Sequence, residues 1–218
     1  MKHSNDKAVF LGRVTASVTH EIQNVLAIIK ETSGLMEDFL QMNQSEGLSD
    51  IEDRLNKCIE TIKRQAYRGV TLTSSLNGFA HTPDSTLSSI NIFETLKKLV
   101  FITDRLFKQK GVDVSIVECN NPYSITTDPV LFEMVVFSCT ECLIDVFQIK
   151  TTLILNLQSS GDQTAIKFSY ADDDLKYENF KQKIIQSVQW INICELCKQI
   201  NIKAEVSTDI PGILLFFK

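Results

Sequence analysis

With 218 residues, 44% of them hydrophobic, the chain can bury a core as one large domain or two small ones. A formal net charge of -5 and the lack of any Lys/Arg-dense run argue against nucleic acid or an anionic membrane as the main partner. No apolar run approaches the length of a membrane span and nothing like a secretory core follows Met1, so a soluble, cytoplasmic protein is expected.

The first expected element is a helix from about Lys7 to Gln41, long enough to need a helical partner. Leu11, Val14, Val18, Ile22, Val25, Ile29, Met36 and Phe39 recur at steps of three and four, interrupted by Thr32, and predict a buried seam. His20 falls about 200° around the axis from Val18, outside that seam. Ser17, His20, Asn24, Ala27 and Glu31 share a narrow polar stripe instead. On the stripe alone, an ordinary surface histidine is the simpler reading.

A polar break at Asn43-Gln44-Ser45-Glu46-Gly47 precedes a second helix, for which Ser49 or Asp50 is the expected cap. Ile51, Leu55, Cys58, Ile62, Ala66, Leu72, Leu76 and Phe79 form its apolar stripe. Two such helices joined by a short loop make a helical hairpin that covers only part of its own apolar surface. Pairing two hairpins into a four-helix bundle would close the core, so a homodimer is expected.

Pro83 and the small polar residues between His81 and Ser89 mark a linker. Beyond it, Phe93 to Leu106 reads as a helix ended near Gly111, and Val112 to Ile116 alternates as a half-buried strand. Thr127-Asp128-Pro129 starts an apolar helix running to Val146. Thr152 to Leu157 and Thr164 to Tyr170 read as a hairpin around Ser160-Gly161-Asp162. An acidic run, Asp172-Asp173-Asp174, then leads into a helical region from about Phe180 to Ile200. Strands from Ala204 to Ser207 and from Ile213 to Phe217 end the chain. The fold class expected is α+β, with helices over one face of a mixed or antiparallel sheet.

Six cysteines in a cytoplasmic chain read first as small buried hydrophobes. Cys139/Cys142 and Cys194/Cys197 have a spacing that zinc can use. Both pairs fall in helical patterns without the Gly or Pro turn that lets two thiolates converge on one ion, so core packing rather than metal binding is expected.

The segment His20-Glu21-Ile22-Gln23-Asn24-Val25-Leu26 resembles the H-box of bacterial sensor histidine kinases, commonly His-Glu-x-x-Asn-Pro-Leu, in their dimerisation and histidine-phosphotransfer domain. Thr71 to Ala80 looks like the end of that family's second helix, and Thr127 to Val135 like the lead-in to its N-box. The resemblance implies a dimeric phosphotransfer hairpin over residues 1–81, a linker over 82–90 and a degenerate ATPase-like α/β sandwich of the GHKL type over 91–218. It makes His20 the phosphoacceptor, a role suited to an imidazole, which is a competent nucleophile near neutral pH. It makes Glu21 the acid/base neighbour that orients the ring and takes its second proton. Asn24, one turn on, would position a water or a phosphoryl oxygen. Val25 replaces the usual proline, and with it goes the warrant for a helix bend at that point.

The second domain departs from the family where ATP chemistry needs it. In the alignment Phe137 and Glu141 stand where the family has Asn, and Tyr170-Ala171-Asp172-Asp173-Asp174-Leu175 retains acid but no glycine. No glycine occurs between Gly161 and Gly212, which removes the backbone freedom a phosphate cradle uses, and the interval from Asp174 to Trp190 leaves little room for a lid. The expectation is therefore a phosphorelay histidine phosphotransfer protein that takes phosphate at His20 from one receiver-domain aspartate of a response regulator and gives it to another. It would bind neither ATP nor a metal of its own, the magnesium being the receiver's. The rival is a non-catalytic pseudokinase that binds and sequesters or inhibits a response regulator or a kinase.

Overall fold

The computed structural model describes residues 2–41, 48–119, 123–148, 150–160, 163–171, 179–208 and 211–217. The backbone divides into two compact units, one of residues 13–80 and one that joins the residues up to Gly12 to those from His81 onward.

The first unit is helical. Helix α1 (Lys2–Gln41) and helix α2 (Leu48–Ala80) run antiparallel, with Glu21 opposite Arg68 and Phe39 opposite Arg54. Val14, Val18 and Val25 on α1 and Ile51, Cys58, Leu72 and Phe79 on α2 are buried, as the two apolar stripes require. Ile22, Ile29, Met36 and Phe39 are only half-buried, because one partner helix covers a narrower arc than the stripe spans. Two residues depart from the expected pattern: Ser17, placed on the polar stripe, is buried, and Ala66, placed in the seam, is exposed. At Gly69 the helices come close, since a Cβ there would lie 3.3 Å from Val25 Cγ1. The polar break at 43–47 lies outside the described residues. Helix α2 begins at Leu48, ahead of the expected cap, so Asp50 sits in the first turn, where its charge favours the helix N-terminus.

The second unit takes in the first turns of α1, which start at Lys2 rather than Lys7. Lys7 Nζ meets Asp128 Oδ2 at 2.6 Å, and the buried Phe10 ring packs 5.4 Å from Phe137. After a 3-10 turn at Thr82–Asp84, strand β1 (Ser88–Asn91) pairs antiparallel with β3 (Ser124–Thr127). Neither strand was expected, for short polar segments give no alternation to read. Helix α3 (Ile92–Lys108) begins at Asn91, whose side chain accepts from Glu94 N. Helix α4 (Pro129–Phe147) begins at Asp128, whose side chain accepts from Leu131 N, with Pro129 in the first turn, as the sequence motif predicts.

The main sheet has the order β2-β4-β5-β7-β6, formed by β2 (Asp113–Ile116), β4 (Thr152–Ser160), β5 (Gln163–Tyr170), β6 (Lys203–Val206) and β7 (Gly212–Phe217). Strand β2 is parallel to β4, while the other pairs are antiparallel, so the sheet is mixed. Leu153, Leu155, Ile166, Phe168, Ile213 and Leu215 are fully buried, and α3, α4 and α6 pack against β2, β7 and β6 in turn. Each such side chain contributes about 1.5–3 kcal/mol by leaving water. Tyr170 ties sheet to helix by donating to Leu143 O at 2.7 Å.

The single helix expected from Phe180 to Ile200 is two, α5 (Phe180–Ile185) and α6 (Val188–Gln199). Ser187 makes the break: its hydroxyl donates to Ile184 O at 2.7 Å and accepts from Trp190 N at 3.1 Å, ending one helix and capping the next. The acidic run 172–174 and the 161–162 turn lie outside the described residues. The architecture is α+β, a long helical hairpin and a helix-covered sheet.

Candidate functional site

His20, Glu21 and Asn24 all lie on α1, in the half of it that belongs to the helical unit. His20 is exposed, and its ring makes no hydrogen bond among the described residues. Glu21 is offset by about 100° around the axis and faces α2. One carboxylate oxygen accepts from Arg68 Nη2 at 2.5 Å, and the other accepts from Asn24 Nδ2 at 3.4 Å. The structure thus gathers Glu21 and Asn24 into one group with Arg68, and leaves His20 beside them on the water side.

Arg68 was not singled out from sequence. Its partner lies 47 residues away, across the hairpin, so no local spacing announces the pair. With the Arg68 side chain half exposed, the ion pair contributes about 0–1 kcal/mol to stability, and its larger effect is to fix where the Glu21 carboxylate points. Helix α1 continues uninterrupted through Val25, consistent with the missing proline. Apolar side chains stand uncovered on the same unit: Leu26 on α1, and Tyr67 and Val70 either side of Arg68 on α2.

In the second unit, the two positions that the resemblance aligns with asparagines, Phe137 and Glu141, are held by other side chains. Phe137 is buried between the rings of Phe10 and Phe107, each 5.4 Å away. Glu141 accepts from Lys110 Nζ at 3.2 Å, and Lys110 also meets Asp145 at 2.7 Å. The segment aligned with the adenine box leaves the described residues at Asp172.

Sequence reasoning also passed over Glu133, hidden in the apolar run of α4. It is buried, among the described residues its Oε2 has no hydrogen-bond partner, and burial pushes its pKa from the ordinary 4.5 up to about 8, with Lys98 pulling the other way. Among the described residues, no group of three or more His, Cys, Asp or Glu side chains is spaced to hold a metal ion, and no helix is long and apolar enough to cross a membrane.

No protein-family model matches the chain, and no curated protein matches it in sequence. Among solved structures it is similar to the histidine kinase AdeS of Acinetobacter baumannii, at 10% identity over 90% of this chain and 95% of that one, TM-score 0.44. It is also similar to the histidine kinase ThkA, crystallised in complex with the response regulator protein TrrA, at 15% identity over 98% of this chain and 62% of that one, TM-score 0.44. A third is the ATP binding domain of PrrB from Mycobacterium tuberculosis, at 15% identity over 60% of this chain and 95% of that one, TM-score 0.47.

Proposed function

We propose that the protein is a histidine phosphotransfer component of a two-component phosphorelay, carrying phosphate on His20 between receiver-domain aspartates without using ATP. The observation that carries this reading is the solvent-facing, unbonded His20 ring beside the Glu21, Asn24 and Arg68 group, within a segment that resembles the H-box. The unprotonated ring nitrogen attacks the phosphorus of an aspartyl phosphate. The P–N bond forms, the P–O bond to the aspartate breaks, and the carboxylate leaves. Attack makes the ring cationic until its other nitrogen gives up a proton, for which Glu21 is the neighbouring acceptor. The phosphoryl group arrives already activated, so in-line positioning is the main demand on this protein.

Phe137 and the Lys110-bound Glu141 at the aligned asparagine positions support the nucleotide-free part of the proposal. The uncovered Leu26, Tyr67 and Val70 suit a homodimer that completes a four-helix bundle while a receiver docks beside His20. A receiver carrying radiolabelled phosphate is the direct test: label should pass to wild-type protein and not to His20→Ala. Binding of the receiver without label transfer would favour the sequestering pseudokinase. Stoichiometric ATP binding with magnesium by calorimetry would refute the nucleotide-free reading, and a monomeric mass by light scattering at micromolar concentration would refute the dimer.

A further inference from the structure

The second unit holds a cleft of about 230 Å³ that phosphate transfer at His20 leaves unused. Three segments far apart in sequence build it: the first turns of α1 from Lys7 to Leu11, the chain around Pro83 to Thr86, and the start of α4 at Asp128 and Val130. Its volume lies below the roughly 300–1,000 Å³ of sites that take drug-sized ligands, so its guest must be small. Two opposite charges stand in the wall. Lys7 Nζ meets Asp128 Oδ2 at 2.6 Å, and both side chains are more than half buried. The carboxylate is held in place, because its other oxygen accepts from Leu131 N at 3.0 Å and caps α4. The ammonium has protons to spare: among the described residues Asp128 is its one hydrogen-bond partner, and an ammonium carries three N–H groups. The exposed Ser85 and Thr86 border the same space with hydroxyls, and Leu11, Pro83 and Val130 give it apolar walls.

We propose that this cleft binds a free α-amino acid with an aliphatic side chain, its carboxylate on Lys7, its ammonium on Asp128 and its side chain against Leu11, Pro83 and Val130. Charge selects the class. A guest with only a carboxylate would suit Lys7 and be repelled by the fixed Asp128 carboxylate, and a guest with only an amine would meet the reverse. An α-amino acid carries both charges one carbon apart, so it turns the single ion pair into a closed ring of four alternating charges. Such a ring leaves no charge unpaired, which is the condition for holding ions in a half-buried site.

The walls select the side chain. A charged one would lose its hydration against Leu11 and Val130 with no partner to replace it, whereas each methylene of an aliphatic one gains by leaving water. The guest would touch α1, the Pro83–Thr86 segment and α4 at once. Occupancy therefore ties the first turns of α1 more firmly to the rest of their unit, and a ligand that binds only the folded chain raises its stability.

The test is calorimetric titration and thermal unfolding of the full chain with L-leucine and with two analogues that each lack one charge, 4-methylpentanoate and leucinamide. L-leucine should bind at one per chain with a Kd at or below about 1 mM, and each analogue at least about tenfold more weakly. At about 20 mM leucine the ratio of folded to unfolded chain should rise by about twentyfold or more. Lys7→Met removes the ammonium, and Asp128→Asn removes the charge while its amide oxygen still caps α4. Each should weaken leucine by at least about tenfold. His20→Ala, in the other unit, should bind leucine as the wild type does. Any of four results would overturn the proposal: neither heat nor thermal shift up to about 20 mM leucine, equal affinity for leucine and 4-methylpentanoate, tighter binding of L-lysine or L-glutamate than of leucine, or full affinity in both charge variants. Far-ultraviolet circular dichroism of each variant separates lost binding from lost fold.

Discussion

Replacing Glu133 by Gln should change how stability depends on pH more than it changes the fold. In the native protein burial pushes this carboxyl up to about 8, whereas the unfolded chain holds it near 4.5. Between those values the folded state keeps a proton that the unfolded state has lost, so stability falls as pH rises. The slope from this one group is about 1.4 kcal/mol per pH unit. Moving from pH 5 to pH 7 should therefore cost the wild type on the order of 2 kcal/mol that Glu133→Gln does not lose. Below pH 4.5 both forms are neutral and should match to within the difference of one hydrogen bond, about 1 kcal/mol. Above about pH 8 the gap should level off, because both states of the wild type are then ionised. Urea unfolding followed by circular dichroism at pH 5, 6, 7 and 8 measures the difference, and subtracting the variant cancels every other titrating group. A gap between wild type and variant that stays flat from pH 5 to 7 would show that Glu133 is solvated or paired, and would refute the reasoning. Lys98→Met is the companion test: with its opposing charge gone, the upper end of the titration should move further up.

Asp128→Ala removes both the cap of α4 and the Lys7 ion pair, and should cost about 1–2 kcal/mol in chemical unfolding; Lys7→Met, which spares the cap, should cost less. Gly212→Ala places a Cβ 2.5 Å from the Phe168 carbonyl oxygen, a backbone atom that cannot swing aside, so thermal unfolding should show a loss of about 1–3 kcal/mol. Arg68→Ala should change stability by less than about 1 kcal/mol while slowing transfer of label to His20, because it frees the Glu21 carboxylate to wander; equal rates would remove Arg68 from the site.

What the sequence made legible is what local periodicity encodes. The valines of α1, the Asp128-Pro129 helix start and the alternating leucines of β4 each announce their element within a few residues, because cap chemistry and amphipathic spacing act over one turn or one pleat. Strands β1 and β3 were invisible for the opposite reason: Ser88–Asn91 and Ser124–Thr127 become strands only by pairing with each other, more than thirty residues apart. The same division runs through the candidate site. His20 and Asn24 share a stripe of helical spacing and Glu21 enters through the resemblance of its segment to the H-box, while Arg68 reaches Glu21 only through the hairpin. Ser17 was misplaced because the polar stripe was drawn from one helix alone, and a second helix decides which edge of a stripe is covered.

The cysteines follow that logic one step further. Each Cys-x-x-Cys segment is ordinary helix core when taken singly, which is how the spacing was read. In the fold the two helices that carry them, α4 and α6, pack on each other, and of the four cysteines Cys194 alone is not buried. Chemistry that depends on contacts across the fold leaves no local signature, so the residues with the least to say in sequence are where the structure adds most.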